Sequence, residues 1–133
     1  MRSRSLVFAA AVAAVVAFAV FGRGGPSHAG QVASYDEVVS GLGKGDILLV
    51  DVREPDEFAA GHVPGAVNLP LSRFDPRALP KPADKKVVVM CRSGNRSGKV
   101  MAMLAGVGRG DVADYSGSMI DWTRRGGAIV QGR

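Results

Sequence analysis

The sequence predicts an α/β domain built on a parallel sheet, and three observations carry that reading. Ile47–Val50 and Val87–Met90 are short, unbroken apolar runs, the pattern of strands buried on both faces. Helix signals alternate with these and with weaker strand signals, as in βαβ units. The 104 residues from Gly30 to Arg133 have ordinary globular composition and the length of one domain.

Each element has a local cause. Ser34-Tyr35-Asp36-Glu37 reads as a capping box leading into Val38 and Val39, with Gly41 and Gly43 expected to stop the helix. Ile47–Val50 follows as a strand. Glu54–Phe58 opens a short helix with proline and acids in its first turn, ended by Gly61. Ala66–Leu69 is a short strand. Leu71–Ala83 holds three of the seven prolines and is expected to be a loop with one helical turn. Val87–Met90 is the second buried strand, and Cys91 stands at its C-terminal end. Ser97–Leu104 forms a helix closed by Gly106, Val112–Tyr115 a strand, and Ser118–Arg125 a last helix around Trp122. Ligands of parallel sheets bind off the carboxyl ends of the strands, where Cys91 stands.

The first 29 residues read as an address. Arg2 and Arg4 precede sixteen consecutive apolar residues, Leu6–Phe21, and Ser27-His28-Ala29 offers small residues at the two positions a signal peptidase reads. Cleavage after Ala29 is expected. The alternative is an uncleaved anchor, but sixteen helical residues span about 24 Å against a hydrocarbon core of about 30 Å. Gly24-Gly25-Pro26 also ends the segment at once. Ser3 separates the two arginines, so a twin-arginine signal is not supported. On either reading the domain, residues 30–133, is exported to a periplasmic or extracellular space, and it touches a membrane only if the segment stays attached.

The formal charge of +5 comes from 17 basic and 12 acidic residues. Arg2, Arg4 and Arg23 flank the apolar block, and without them the net charge is +2. That balance does not suit a nucleic-acid binder, and no basic stripe with interleaved aromatics occurs. One cysteine permits no internal disulfide. With one histidine after cleavage there is no metal-ligand cluster, and no cofactor motif is present, so neither metal nor cofactor is expected.

A lone thiol in an oxidising compartment is a liability unless it is buried or used. Cys91-Arg92-Ser93-Gly94-Asn95-Arg96-Ser97 lies between a strand and a helix. Such a turn can aim successive backbone N–H groups at one point, and the helix N-terminus adds positive potential. With Arg92 and Arg96 nearby, the thiol is expected to have a depressed pKa and to exist largely as thiolate. A buried structural cysteine is the alternative, and the two arginines on a glycine-containing turn argue against it. Gly94–Val100 is one residue too short for a P-loop and has Val100 in place of the Mg²⁺-binding hydroxyl. Cys91 and Arg96 are separated by four residues rather than the five of cysteine-dependent phosphatases. The smaller ring suits one sulfur atom better than a phosphoryl group.

These segments resemble the single-domain rhodanese-like family, over essentially all of Val32–Val130. Asp51–Phe58 with Gly61–Pro70 is similar to the family's N-terminal signature, Cys91–Ser97 to its active-site loop in the sulfurtransferase form, and Tyr115-Ser116-Gly117 with Trp122 and Gly126 to its C-terminal signature. Ser118 and Ala128 depart from it, standing where glycine and proline are common, and both are expected to lie away from the loop. The resemblance implies about five parallel strands flanked by helices on both faces. It implies a Cys91 persulfide formed from a donor such as thiosulfate or another persulfide and discharged to a thiol, cyanide or protein acceptor. The backbone N–H groups of residues 92–97 would cradle the anion.

Within that scheme Cys91 is the nucleophile, Arg92 the contact for an anionic donor, and Arg96 a brace of the loop. Asp51 and Arg53 are expected to form an ion pair or loop brace, with substrate contact by Arg53 the alternative. His62 is expected to be scaffold rather than base, because a thiolate already stabilised needs none. A monomer is expected. The rival function is an exported sulfur-carrier or persulfide-binding module that works with a partner protein and turns over thiosulfate poorly. A non-catalytic adaptor is disfavoured by the intact cysteine.

Overall fold

The computed structural model describes residues 30–133, so the expected signal segment lies outside the described residues. It opens with a two-residue strand, β1 (Gln31–Val32), followed by α1 (Tyr35–Lys44), β2 (Ile47–Asp51), α2 (Pro55–Ala60) and β3 (Val67–Asn68). A 3₁₀ turn at Leu71–Arg73 supplies the one helical turn of the proline-rich loop. β4 (Lys86–Met90), α3 (Asn95–Gly106), β5 (Ala113–Asp114) and α4 (Ser118–Arg124) complete the chain. No helix among the described residues is long and apolar enough to cross a membrane.

The five strands are all parallel, in the order β1-β5-β4-β2-β3. β2 and β4 are the two runs of continuous apolar character, and they pair along their whole length at the centre, from Ile47 opposite Lys86 to Asp51 opposite Met90. Side-chain alternation then divides the core. Leu49, Val88 and Met90 pack with Val38 of α1 and with Met119 and Trp122 of α4. Val50, Val87, Val89 and Cys91 pack with Val100 and Leu104 of α3. Helices therefore cover both faces, and the carboxyl ends of β2 and β4 end side by side.

The structure adds one element to the sequence reading and corrects another. β1 was not foreseen: Val32 is 71% exposed and its two residues carry no apolar run. They become a strand only because β5 offers a free edge. α1 also runs through Gly41 and Gly43 to a left-handed Gly45 at φ 73°. The capping box forms as expected, with Ser34 Oγ accepting the Glu37 N–H at 3.1 Å and Glu37 Oε2 accepting the Ser34 N–H at 2.8 Å. Gly41 does not end the helix. A Cβ there would collide with the Ile47 side chain, so its smallness lets α1 lie close against β2.

Candidate active site

Cys91 leaves the end of β4 fully buried, and its loop curls back over the sulfur. Gly94 has φ 94°, a conformation that favours glycine, and a Cβ there would strike the Ser116 carbonyl oxygen. This turn aims the Gly94 N–H at Cys91 Sγ, 3.1 Å away. Asn95 then starts α3, and Ser97, buried in its first turn, brings Oγ to 3.7 Å from Sγ. Arg92, Ser93 and Asn95 are exposed around the rim. The Arg92 side chain has no ion-pair partner among the described residues, while its carbonyl accepts the Ile120 N–H at 3.0 Å.

Burial pushes the Cys91 thiol up, but the backbone N–H and hydroxyl of Ser97, the Gly94 N–H and the Ser118 hydroxyl more than offset it, and the net shift is downward. Hydrogen bonds to sulfur do this, rather than the two free guanidinium charges that the sequence suggested. Arg96 is not free. Its Nη1 and Nη2 donate to Glu57 Oε1 at 2.5 Å and Oε2 at 2.9 Å, a two-pronged bridge from the loop to α2. The Arg96 hydrogen bond holds the Glu57 carboxyl at about 2, against burial.

Asp51 and Arg53 form a buried ion pair at 2.7 Å, with Arg53 Nε also on the carboxylate. The same guanidinium donates to the carbonyls of Glu57 and Gly61, one inside α2 and one just past its end. Asn68 Nδ2 donates to the carbonyls of Asp51 and Arg53 at 3.0 and 2.8 Å. This network fixes α2, which in turn presents Glu57 to Arg96. Arg53 is therefore buried, with its guanidinium committed to Asp51 and α2. His62 donates from Nδ1 to the Phe58 carbonyl at 2.7 Å and stacks on the Phe58 ring with centroids 3.7 Å apart, while its backbone bridges to Val130. The histidine closes the C-terminus of α2.

Three residues at the site were missed or misplaced. Glu57 looked like a first-turn helix acid, and nothing local pairs it with a residue 39 positions away. Asp114 stands at the end of β5; burial raises the pKa of its carboxyl, partly offset by the Ser97 hydroxyl, and its Oδ1 has no hydrogen-bond partner among the described residues. The placement of Ser118 away from the loop is wrong. Ser118 is fully buried, its Oγ accepts the Cys91 N–H at 3.0 Å and lies 3.8 Å from Sγ. β4 and β5 are neighbours, so the turn after β5 lands against the cysteine. The departure from glycine was the available signal. Ala128 does lie elsewhere, its carbonyl accepting the Trp122 Nε1–H at 2.9 Å.

Residues 34–125 match the rhodanese-like domain family. A sulfurtransferase of Allochromatium vinosum is 44% identical over 85 residues, covering 64% of this chain and 79% of that protein. A thiosulfate:glutathione sulfurtransferase of Saccharomyces cerevisiae is 34% identical over 113 residues, covering 73% and 81%. Coverage of a relative's own length varies, from 39% of an HTH-type transcriptional regulator of Mycobacterium tuberculosis to 92% of a human thiosulfate:glutathione sulfurtransferase. Among solved structures, the human single-domain sulfurtransferase TSTD1 superposes with a TM-score of 0.61 at 30% identity, covering 71% of this chain and 96% of that one. The match over most of the described residues, carried on the same five-stranded parallel sheet, places the chain in the rhodanese-like domain family.

Proposed function

We propose that the protein is a sulfurtransferase that carries a sulfane sulfur on Cys91, with thiosulfate as a competent donor. The observation that carries this reading is the sulfur's own surroundings: one loop N–H at 3.1 Å and two serine hydroxyls at 3.7 and 3.8 Å converge on Sγ. These are the donors a nest for an anion on sulfur requires. The names of the Allochromatium and Saccharomyces relatives support the same chemistry.

In the first step the Cys91 thiolate attacks the outer sulfur of thiosulfate. A Cys91–S bond forms, the bond to the oxidised sulfur breaks, and the electron pair leaves with sulfite. In the second step an acceptor thiolate attacks the terminal persulfide sulfur, takes it as its own persulfide and returns the electron pair to Cys91. The cycle needs no external oxidant or base, which agrees with His62 being committed to α2. Arg92, exposed beside the nucleophile, attracts the dianionic donor, whereas Arg96 holds the loop through Glu57. Because Cys91 has no exposed surface, the loop must give way locally to admit the donor.

Intact mass after exposure to thiosulfate tests the reading. A gain of one sulfur atom, discharged by glutathione or cyanide and absent in Cys91→Ser, is expected. A chain that stays at its original mass, with no sulfite released, would overturn it. A chain that gains sulfur only from another protein's persulfide would establish the carrier module instead.

A further inference from the structure

Ser118 is the only non-glycine among the described residues with positive φ, at 54°. A side chain in the left-handed region is strained, and the strain persists only where the surroundings hold it there. Here they do. Ser118 N–H and Oγ–H both donate to the Tyr115 carbonyl, each at 3.0 Å, and Oγ accepts the Cys91 N–H at 3.0 Å. The strained backbone is what points a hydroxyl, rather than a hydrogen, at the base of the nucleophile.

We infer that Ser118 is a positioning residue for the Cys91 sulfur, whose hydroxyl turns from the Tyr115 carbonyl onto Sγ when the sulfur becomes an anion. The inference rests on the proposed role of Cys91 as the sulfur carrier. A serine hydroxyl has one proton and can serve one acceptor at a time. Beside a neutral thiol, the proton sits on the Tyr115 carbonyl. When it leaves, that carbonyl keeps the Ser118 N–H, so the turn orphans no buried acceptor. Ser97 stands in the mirror position. Its hydroxyl donates to the Gly94 carbonyl at 3.2 Å, and that carbonyl already accepts the Gly98 N–H at 3.0 Å. Each hydroxyl is thus parked on an acceptor that can spare it. With the Gly94 N–H as a third donor, the pocket supplies hydrogen bonds to sulfur in proportion to its charge, and the Cys91 N–H keeps Ser118 Oγ aligned throughout.

Two variants separate the hydroxyl from the strain. Ser118→Gly removes both, while Ser118→Ala removes the hydroxyl and keeps a Cβ in the left-handed conformation. Thiolate formation is followed by its ultraviolet absorbance as pH is raised, with Cys91→Ser as the blank. Both variants are expected to raise the titration midpoint of Cys91 by about one pH unit. Both should also slow sulfur transfer from thiosulfate at pH 6 by about threefold or more with KM little changed, the deficit shrinking at higher pH. Chemical denaturation should find Ser118→Gly at least as stable as Ser118→Ala. Unchanged midpoints in both variants, or a shift in Ser118→Ala alone, would overturn the inference, since the second would trace the effect to strain. A protein that takes no sulfur from thiosulfate would remove the proposed function, while the titration would still decide whether the hydroxyl meets the thiolate.

Discussion

Arg96 on the cysteine loop and Glu57 on α2 face each other as a parallel fork, with two N–H···O bonds of 2.5 and 2.9 Å. The two side chains are 27% and 32% exposed, so the pair is neither buried nor freely solvated. It joins the helix that Arg53 anchors to the loop that holds Cys91.

Glu57→Gln should therefore act on both stability and turnover. The folded Glu57 carboxyl titrates at about 2 rather than 4.5. A depressed carboxylate contributes stability that is complete above its unfolded pKa of 4.5 and is lost as pH falls through the folded value. The wild type should exceed Glu57→Gln by about 1 kcal/mol at neutral pH. The difference should shrink between pH 4.5 and 2, as measured by urea unfolding across that range. Transfer from thiosulfate should fall several-fold through kcat.

Arg92 and Arg96 should separate kinetically. Arg92→Ala removes an exposed charge from the rim and leaves the N–H cradle intact, so the KM for thiosulfate should rise about tenfold, equivalent to about 1.4 kcal/mol. Arg96→Ala unties the loop from Glu57 and should lower kcat instead. Steady-state kinetics with thiosulfate check both, and equal KM effects would refute the division.

Gly94→Ala should be the most damaging change in the loop. The left-handed conformation and the Ser116 carbonyl both reject a Cβ, so the turn must move and withdraw the N–H that meets Sγ at 3.1 Å. A loss of about 2 kcal/mol in unfolding free energy is expected. The thiolate titration should shift upward at the same time.

Export is proposed from the sequence alone. N-terminal sequencing of the protein recovered from cells should begin at Gly30-Gln31, and an intact N-terminus in the membrane fraction would favour the anchor.

The features legible in the sequence are those written locally. The Ser34–Glu37 capping box, the apolar runs of β2 and β4, and a cysteine placed between a buried strand and a helix each depend on neighbours a few residues apart. The family signatures extended that reading to the whole domain. Strand β1 carried no such signal, and the two glycines of α1 looked like stops because their reason, the Ile47 side chain, belongs to the next element.

By itself, then, the sequence determined the alternation of strands and helices, the place of Cys91 between a buried strand and a helix, and the loop length, because propensity, burial period and spacing are properties of adjacent residues. The tertiary structure decided what surrounds the sulfur. The strand order sets β5 beside β4, so the hydroxyl of Ser118, 27 positions after Cys91, meets the Cys91 N–H. The pairing of β2 with β4 likewise brings α2 beside the loop, so Glu57 takes the charge of Arg96. Contacts between such distant residues are products of sheet topology, and no local pattern encodes them.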